Sequence, residues 1–177
     1  VSKVRVALAP GVGPPARKLP SEAKIIVGTE RACVRTRVAA GERQRAKAYA
    51  LWNLMQFDHD LYAPDMALQY PDRVRFPNTF ILAHELTHVW QWQNRAESGY
   101  SPWRAVLEAI RLTDPYFSTR DDAPEFLSFG FEQQAAMITD FVCFTASNPD
   151  HPRRQELREL LLPVLPVDRF ERAIRGE

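Results

Sequence analysis

Cysteine is scarce in this sequence: Cys33 and Cys143 are the two cysteines among its 177 residues. Neither belongs to a Cys-x-x-Cys pair, which excludes a zinc knuckle held by cysteine thiolates. A disulfide between two such distant positions is possible but has no support in the sequence pattern. We therefore expect two buried thiols that pack as small apolar side chains.

The sequence also has no long apolar run and no excess of charge of one sign. None of its apolar stretches approaches the roughly 20 residues that a membrane-spanning helix needs. The formal net charge is +1, so overall charge gives no reason to expect binding to nucleic acid or to an anionic membrane. The first 20 residues lack the apolar core of a signal peptide. We expect a cytoplasmic location by default, with secretion left open.

The organisation of the chain predicts one α+β domain over residues 1–177. Residues 1–20 contain the Gly- and Pro-rich stretch "GVGPPARKLP" and are predicted to form a flexible arm. β-branched residues predict strands in 23–28 and 32–38, and we also favour a strand over 53–57. The first part of 41–60 favours helix by propensity. Arginine is frequent in this region, where we expect a solvated face or a charged edge strand: Arg31, Arg35, Arg37, Arg43 and Arg45.

The second half of the chain carries the start and stop signals of several helices. One helix is predicted from Pro77 to Arg95, with Gly99 after its end, and another begins at the Ser101–Pro102 cap. A third spans residues 131–146, and two short helices separated by Pro163 and Pro166 close the chain. Strands first and helices afterwards is the order of an α+β domain.

The stretch "LAHELTHVWQ", residues 82–91, places His84 and His88 four positions apart, with Glu85 directly after the first histidine. Residues four apart lie on one face of a helix, so both imidazoles can bind one ion. Glu85 lies about 100° round the helix and can take a proton from water at that ion. This is the arrangement that zinc hydrolases use, and Zn²⁺ is the predicted cofactor.

A catalytic zinc site usually has a third protein ligand, and Glu132 is the best candidate. It begins a later helix in which Ala135 and Ala136 would allow close approach to the histidine helix. Asp140 could hydrogen-bond a ligand histidine, while Gln91 lies on the ligand face and could orient water, bind substrate or cap the helix. The other two histidines, His59 and His151, are predicted to be loop residues.

Two segments resemble a known family. "LYAPD" (61–65) followed by "ILAHELTHVWQ" (81–91) is similar to the pattern of bacterial DUF4157 domains, and "FEQQAAMITDF" (131–141) is similar to a helix of Vgr-related proteins. The HExxH motif with a glutamate on a later helix also resembles the gluzincin type of zinc metallopeptidase. The match covers residues 54–95 and 130–142.

The resemblance implies a zincin-like fold, in which a small N-terminal sheet lies over the HExxH helix, substrate lies along an edge strand, and the C-terminal half is mainly helical. It implies a metallopeptidase that acts on a peptide or protein substrate. Carried over, the roles are zinc ligand for His84, His88 and Glu132, and general base for Glu85. The residue that stabilises the oxyanion stays open among Tyr62, Tyr100 and Tyr116.

Two other classes of function compete with the peptidase. The domain could bind metal without catalysis, as an interaction module of a bacterial secretion or delivery system. Alternatively, the two histidines and the glutamate could form a structural network without metal. Metal content, turnover and the effect of a chelator on the melting temperature distinguish the three classes, because a bound metal stabilises the state that binds it.

Overall fold

The computed structural model describes residues 3–8, 33–35, 47–59, 61–72, 76–112 and 114–177. Its order of elements confirms the α+β class, with the strands first and the helices afterwards. Short 3₁₀ turns occupy Arg120–Asp122 and Phe126–Ser128. The strands and α-helices are β1 Arg5–Leu8, β2 Ala48–Leu51, β3 Leu54–Phe57, α1 Asn78–Gln93, α2 Arg95–Ser98, α3 Pro102–Arg111, α4 Phe131–Ser147, α5 Pro152–Leu161 and α6 Val167–Arg175.

The sheet has the order β1-β3-β2, with β3 parallel to β1 and antiparallel to β2. β3 confirms the strand predicted for 53–57, and its alternation buries Met55 and Phe57 on one face. The preference for helix that propensity indicated in the first part of 41–60 is wrong for β2, which is a strand. Ala48 and Ala50 pack into the same core, while Tyr49 faces outward. Pairing with β3 and burial of this face override a weak local preference.

Some of the predicted N-terminal features cannot be compared with the structure. β1 lies within the predicted arm 1–20, and its residues pair with β3 rather than extend freely. The predicted strand 23–28 and most of 32–38 lie outside the described residues. So do Arg31, Arg37, Arg43 and Arg45.

Helix α1 lies between the sheet and the later helices, and its two apolar faces explain this position. Val89 joins the cluster formed by the sheet, while Phe80 joins a second cluster formed by α4, α5 and α6. The small residues Ala135 and Ala136 of α4 are fully buried, as the close approach predicted from the sequence requires. Each fully buried large apolar side chain contributes about 1.5–3 kcal/mol to folding, so α1 is fixed from both sides.

The helix boundaries follow the predicted signals. Ser101 caps α3 by accepting a hydrogen bond from the Arg104 backbone N–H, and Gly99 ends α2 with φ of 67°. His151 caps α5, accepting the Arg153 backbone N–H at Nδ1. Within the described part of the chain, each helix is too short or too polar to cross a membrane.

The two cysteines form a disulfide, which corrects the prediction of two free buried thiols. Segment 33–35 packs against α4, and the Cα atoms of Cys33 and Cys143 lie 5.6 Å apart, within bonding range. The same segment carries Arg35, whose guanidinium pairs with Asp140 at 2.8 Å. Arg35 is therefore half-buried against α4 and does not belong to a solvated face.

We predict that Cys143→Ser lowers the free energy of unfolding by about 2–5 kcal/mol, because the bond closes a chain separation of 110 residues. Guanidinium unfolding with and without reductant measures this loss. Reductant should destabilise the wild type and leave the Cys33→Ser/Cys143→Ser double variant unaffected. Two titratable thiols in the unreduced, denatured wild type would contradict the disulfide.

Candidate metal centre

Helices α1 and α4 bring three potential ligand atoms to one point. His84 and His88 project from the middle of α1, and Glu132 projects from the first turn of α4. The Nε2 atoms of the two histidines lie 3.2 Å apart. Glu132 Oε2 lies 3.1 Å from Nε2 of His84 and 3.4 Å from Nε2 of His88. In the described residues this is the group of His, Cys, Asp and Glu side chains that could hold a metal ion.

The spacing of these atoms fits a tetrahedral metal site. Ligands bonded to zinc at about 2.0–2.1 Å lie about 3.3 Å from one another when the geometry is tetrahedral. The three measured separations are 3.1, 3.2 and 3.4 Å, so the atoms form one face of such a tetrahedron. Two imidazole nitrogens and one carboxylate oxygen are a donor set of catalytic zinc sites, which keep the fourth position open.

A chain of buried hydrogen bonds fixes the tautomer of His88. The Phe129 carbonyl can only accept, so Gln134 Nε2 donates to it at 2.7 Å, and Gln134 Oε1 faces Gln91. Gln91 Nε2 donates to that oxygen at 2.9 Å and to the Phe131 carbonyl at 3.1 Å. Gln91 Oε1 is left to accept from His88 Nδ1 at 2.9 Å. His88 therefore carries a proton on Nδ1, and its Nε2 is available as a ligand.

Gln134 belongs to this hydrogen-bond network, although the sequence did not predict a role for it. Gln91 and Gln134 are both fully buried, and a buried carboxamide must find partners for its donors and acceptor. Gln91 thus hydrogen-bonds a candidate ligand histidine, a contact that differs from the roles expected for it, which were to orient water, bind substrate or cap the helix. The sequence "QQ" at residues 133–134 does not indicate which of the two glutamines is buried. That depends on which face of α4 packs against α1.

Glu85 is buried beside the two histidines without a structural partner for one of its oxygens. Its exposed fraction is 4%, and Oε2 has no hydrogen-bond partner among the described residues. Burial raises the pKa of this carboxyl to about 7, against the opposing charge of His88. A buried carboxylate without a partner costs stability, which points to a role outside folding.

The charges of the three candidate ligands depend on one another. Burial alone would raise the pKa of Glu132, but hydrogen bonds with His84 and His88 outweigh it and hold that pKa far below its ordinary value. Burial would lower the pKa of His88, yet its hydrogen bond with Glu132 and the charges of Glu132 and Glu85 raise it to about 9. Burial lowers the pKa of His84. Without metal, the centre is therefore held by a His88–Glu132 ion pair.

Two of the three tyrosines considered as stabilisers of the oxyanion, Tyr100 and Tyr116, flank the histidines. The Tyr116 ring lies 5.8 Å from the ring of His84, and the Tyr100 ring stacks 5.9 Å from the ring of His88. Burial, together with the charges of Glu132 and Glu85, raises the pKa of each tyrosine to about 12, so both stay protonated at neutral pH. Tyr62 makes no such contact with either histidine ring among the described residues.

Asp140 does not bond a ligand histidine, in contrast to the prediction. Its two carboxylate oxygens accept hydrogen bonds from Arg35, at 2.8 and 3.4 Å. The physical reason is distance: eight residues separate Asp140 from Glu132, which is about 12 Å along a helix. His59 is an exposed turn residue and His151 a helix cap, so neither joins the centre.

Comparison with protein-family models, curated proteins and solved structures finds no significant match for the chain. The resemblance to zincin-like metallopeptidases and DUF4157 domains therefore stays a prediction.

We predict that Gln91→Leu weakens zinc binding by about 10- to 100-fold, because it removes the acceptor that orients His88. Competition with a chromophoric chelator measures the affinity, and circular dichroism verifies the fold. Gln93→Leu, two residues away and facing Asn53, is the matched control and should bind zinc as the wild type does. Equal affinities of the two variants would contradict this role of Gln91.

We also predict that zinc affinity rises with pH. The raised pKa of His88 means that its ion pair stabilises the metal-free fold below pH 6.5 and that this stabilisation is lost as the pH rises through about 9. Zinc must displace that proton, so the apparent affinity should rise about tenfold per pH unit from pH 7 to 9. Titration calorimetry in buffers of different ionisation enthalpy should detect release of about one proton at pH 7. A flat pH profile would contradict the ion pair.

Proposed function

We propose that this protein is a zinc-dependent metallopeptidase, in which His84, His88 and Glu132 hold the metal and Glu85 is the general base. The observation that carries the proposal is the combination of two features at one place. Three ligand atoms form a tetrahedral face with edges of 3.1–3.4 Å, and a buried carboxylate beside them has an oxygen without a partner in the described residues. A structural zinc site would need no such carboxylate, since its fourth position is filled by a protein ligand.

Glu85 has the properties of a proton carrier at neutral pH. Zinc held by these residues would supply a Lewis acid, which would lower the pKa of a water molecule and polarise a substrate carbonyl. Glu85 accepts the proton of the attacking water and then gives it to the nitrogen of the leaving amine. Burial raises the pKa of Glu85 in the metal-free protein to about 7, which makes this carboxyl a stronger base than an exposed glutamate.

Tyr116 is the better placed of the two tyrosines to contact substrate. Its side chain is 38% exposed, whereas Tyr100 is 6% exposed and packs edge-on against Phe131. A protonated phenol at the rim of the centre can donate a hydrogen bond to the carbonyl oxygen as negative charge develops there. We assign that donor role to Tyr116 and a packing role against His88 to Tyr100.

The arrangement of sheet and helices also supports a zincin-like fold. The three-stranded sheet packs on α1 through Met55, Phe57 and Val89, on the side away from the α4 core. Among the described strands, β2 lies at an edge of this sheet, where an extended peptide could add as a further strand. Peptide is the substrate class that such an edge and a water-activating centre favour together.

We predict that Glu85→Gln keeps bound zinc and loses at least about 100-fold in turnover, because the carboxamide cannot accept a proton. Hydrolysis of an unfolded protein such as reduced casein, followed by mass spectrometry, is the measurement. Glu97→Gln, an exposed acid on α2, is the matched control and should leave turnover unchanged.

Turnover that survives in zinc-loaded Glu85→Gln would refute Glu85 as the base. Zinc retention by the wild type with no hydrolysis of any unfolded substrate would instead favour the inert interaction module of a secretion or delivery system.

A further inference from the structure

A cavity of about 370 Å³ lies beside the second half of α4, where Asp140 and Phe144 line it. Segment 33–35 and loop 117–120 form two of its walls, and the second half of α4 and the start of α5 form the others. This volume is within the range of small-ligand sites. It is large enough for an amino-acid side chain together with part of a peptide backbone.

The cavity carries an excess of positive charge. Three arginines line it, against two carboxylates, Asp140 and Glu156. Each carboxylate is already engaged, Asp140 by Arg35 at 2.8 Å and Glu156 by Arg153 at 2.5 Å. The third arginine, Arg120, is held by the backbone carbonyls of residues 123 and 124. The two ion pairs cancel in charge, so the excess amounts to one positive charge, and an incoming group meets carboxylates that are already paired.

Arg35 is prepared to bind an anion. Its Nε and Nη2 atoms bond Asp140, which fixes the plane of the guanidinium. Its side chain is 30% exposed, and because Asp140 takes the Nε–Nη2 edge, a second carboxylate would bind the Nη1–Nη2 edge of the guanidinium. A guanidinium held in this way favours a carboxylate, which can accept two parallel hydrogen bonds. The disulfide of Cys33, two residues earlier, anchors the segment to α4.

The cavity is adjacent to the candidate metal centre. Phe117, in its wall, directly follows Tyr116, whose ring lies 5.8 Å from that of His84. Asp140 is about 12 Å from Glu132 along α4. An extended peptide advances about 3.3 Å per residue, so the separation corresponds to three or four residues.

We propose that this cavity is a substrate subsite of the metal centre that binds an acidic side chain three or four residues from the cleaved bond, with Arg35 as the specificity-determining residue. The inference rests on the proposed peptidase function. It adds a substrate class, namely peptides with Asp or Glu at one fixed position.

The test uses a pool of random-sequence nonapeptides and the zinc-loaded full chain. Mass spectrometry of the products should show Asp and Glu enriched at one position, three or four residues from the cut. Matched peptides with Glu or Gln at that position should then differ about tenfold or more in kcat/KM, as expected for a charge-assisted hydrogen bond. Products without such enrichment, or a Glu-to-Gln ratio near one, would overturn the subsite and leave the peptidase function intact.

Variants of Arg35 connect the preference to this residue. Arg35→Gln should reduce the Glu-to-Gln ratio to near one. Because Asp140 then loses its partner, the double variant Arg35→Gln/Asp140→Asn, which leaves no unpaired charge, should give the same result. Arg172→Gln, an exposed site on α6, is the matched control and should keep the full ratio. An unchanged ratio in folded Arg35 variants would also overturn the proposal.

A binding measurement separates failure of the subsite from failure of the peptidase function. Immobilised Glu85→Gln protein, loaded with zinc, is used to select from the same nonapeptide pool. Enrichment of Asp and Glu that disappears in Glu85→Gln/Arg35→Gln supports the subsite even if the wild type cleaves nothing, in which case only the peptidase function fails. Selection without acidic enrichment overturns the subsite.

Discussion

The packing of α1 against α4 determines where each side chain of the candidate metal centre lies. Ala135 and Ala136 are fully buried and let the two helix backbones approach closely. At that separation, Glu132 on α4 reaches His84 and His88 on α1 at 3.1–3.4 Å. The apolar cores on both sides of α1 fix this geometry, so the three candidate ligand atoms are held in place by the fold. A larger residue at position 135 or 136 would move the carboxylate away from both histidines.

The same contact accounts for the unusual number of polar groups buried around the centre. Gln91 and Gln134 are fully buried, and their hydrogen bonds extend from His88 to the backbone at the start of α4. All of these groups are satisfied, which is the condition under which a buried polar network adds rigidity without a large cost. Glu85 is the exception, because one oxygen has no partner in the described part of the chain. Gln91 and Gln134, which position a candidate ligand, thus have hydrogen-bond partners, whereas Glu85, the residue to which we assign the proton transfer, keeps one oxygen available.

The α+β order, the main helices and strand β3 were predictable from the sequence, because short-range signals mark helix ends and alternation marks a strand. The two histidines of the candidate centre were predictable because helical spacing places His84 and His88 on one face. Three features depend on contacts between distant segments and could not be read from local pattern. The disulfide joins positions 110 residues apart. Arg35, which was predicted to lie on a solvated face or a charged edge strand, pairs with Asp140, a residue distant in the sequence. Gln134 differs from Gln133 only in the face of α4 that it occupies, and that face is set by α1.

The metal content of the purified protein decides whether α1 and α4 together build a zinc centre. Plasma emission should find about one zinc per chain in the wild type, since three ligands and one open position define a single catalytic site. Folded Glu132→Ala should lose most of that zinc, whereas Glu125→Ala, an exposed acid outside the centre, should retain it. Wild-type protein that holds no zinc after zinc is supplied, or Glu132→Ala protein that keeps a full equivalent, would rule out a zinc centre built by these two helices.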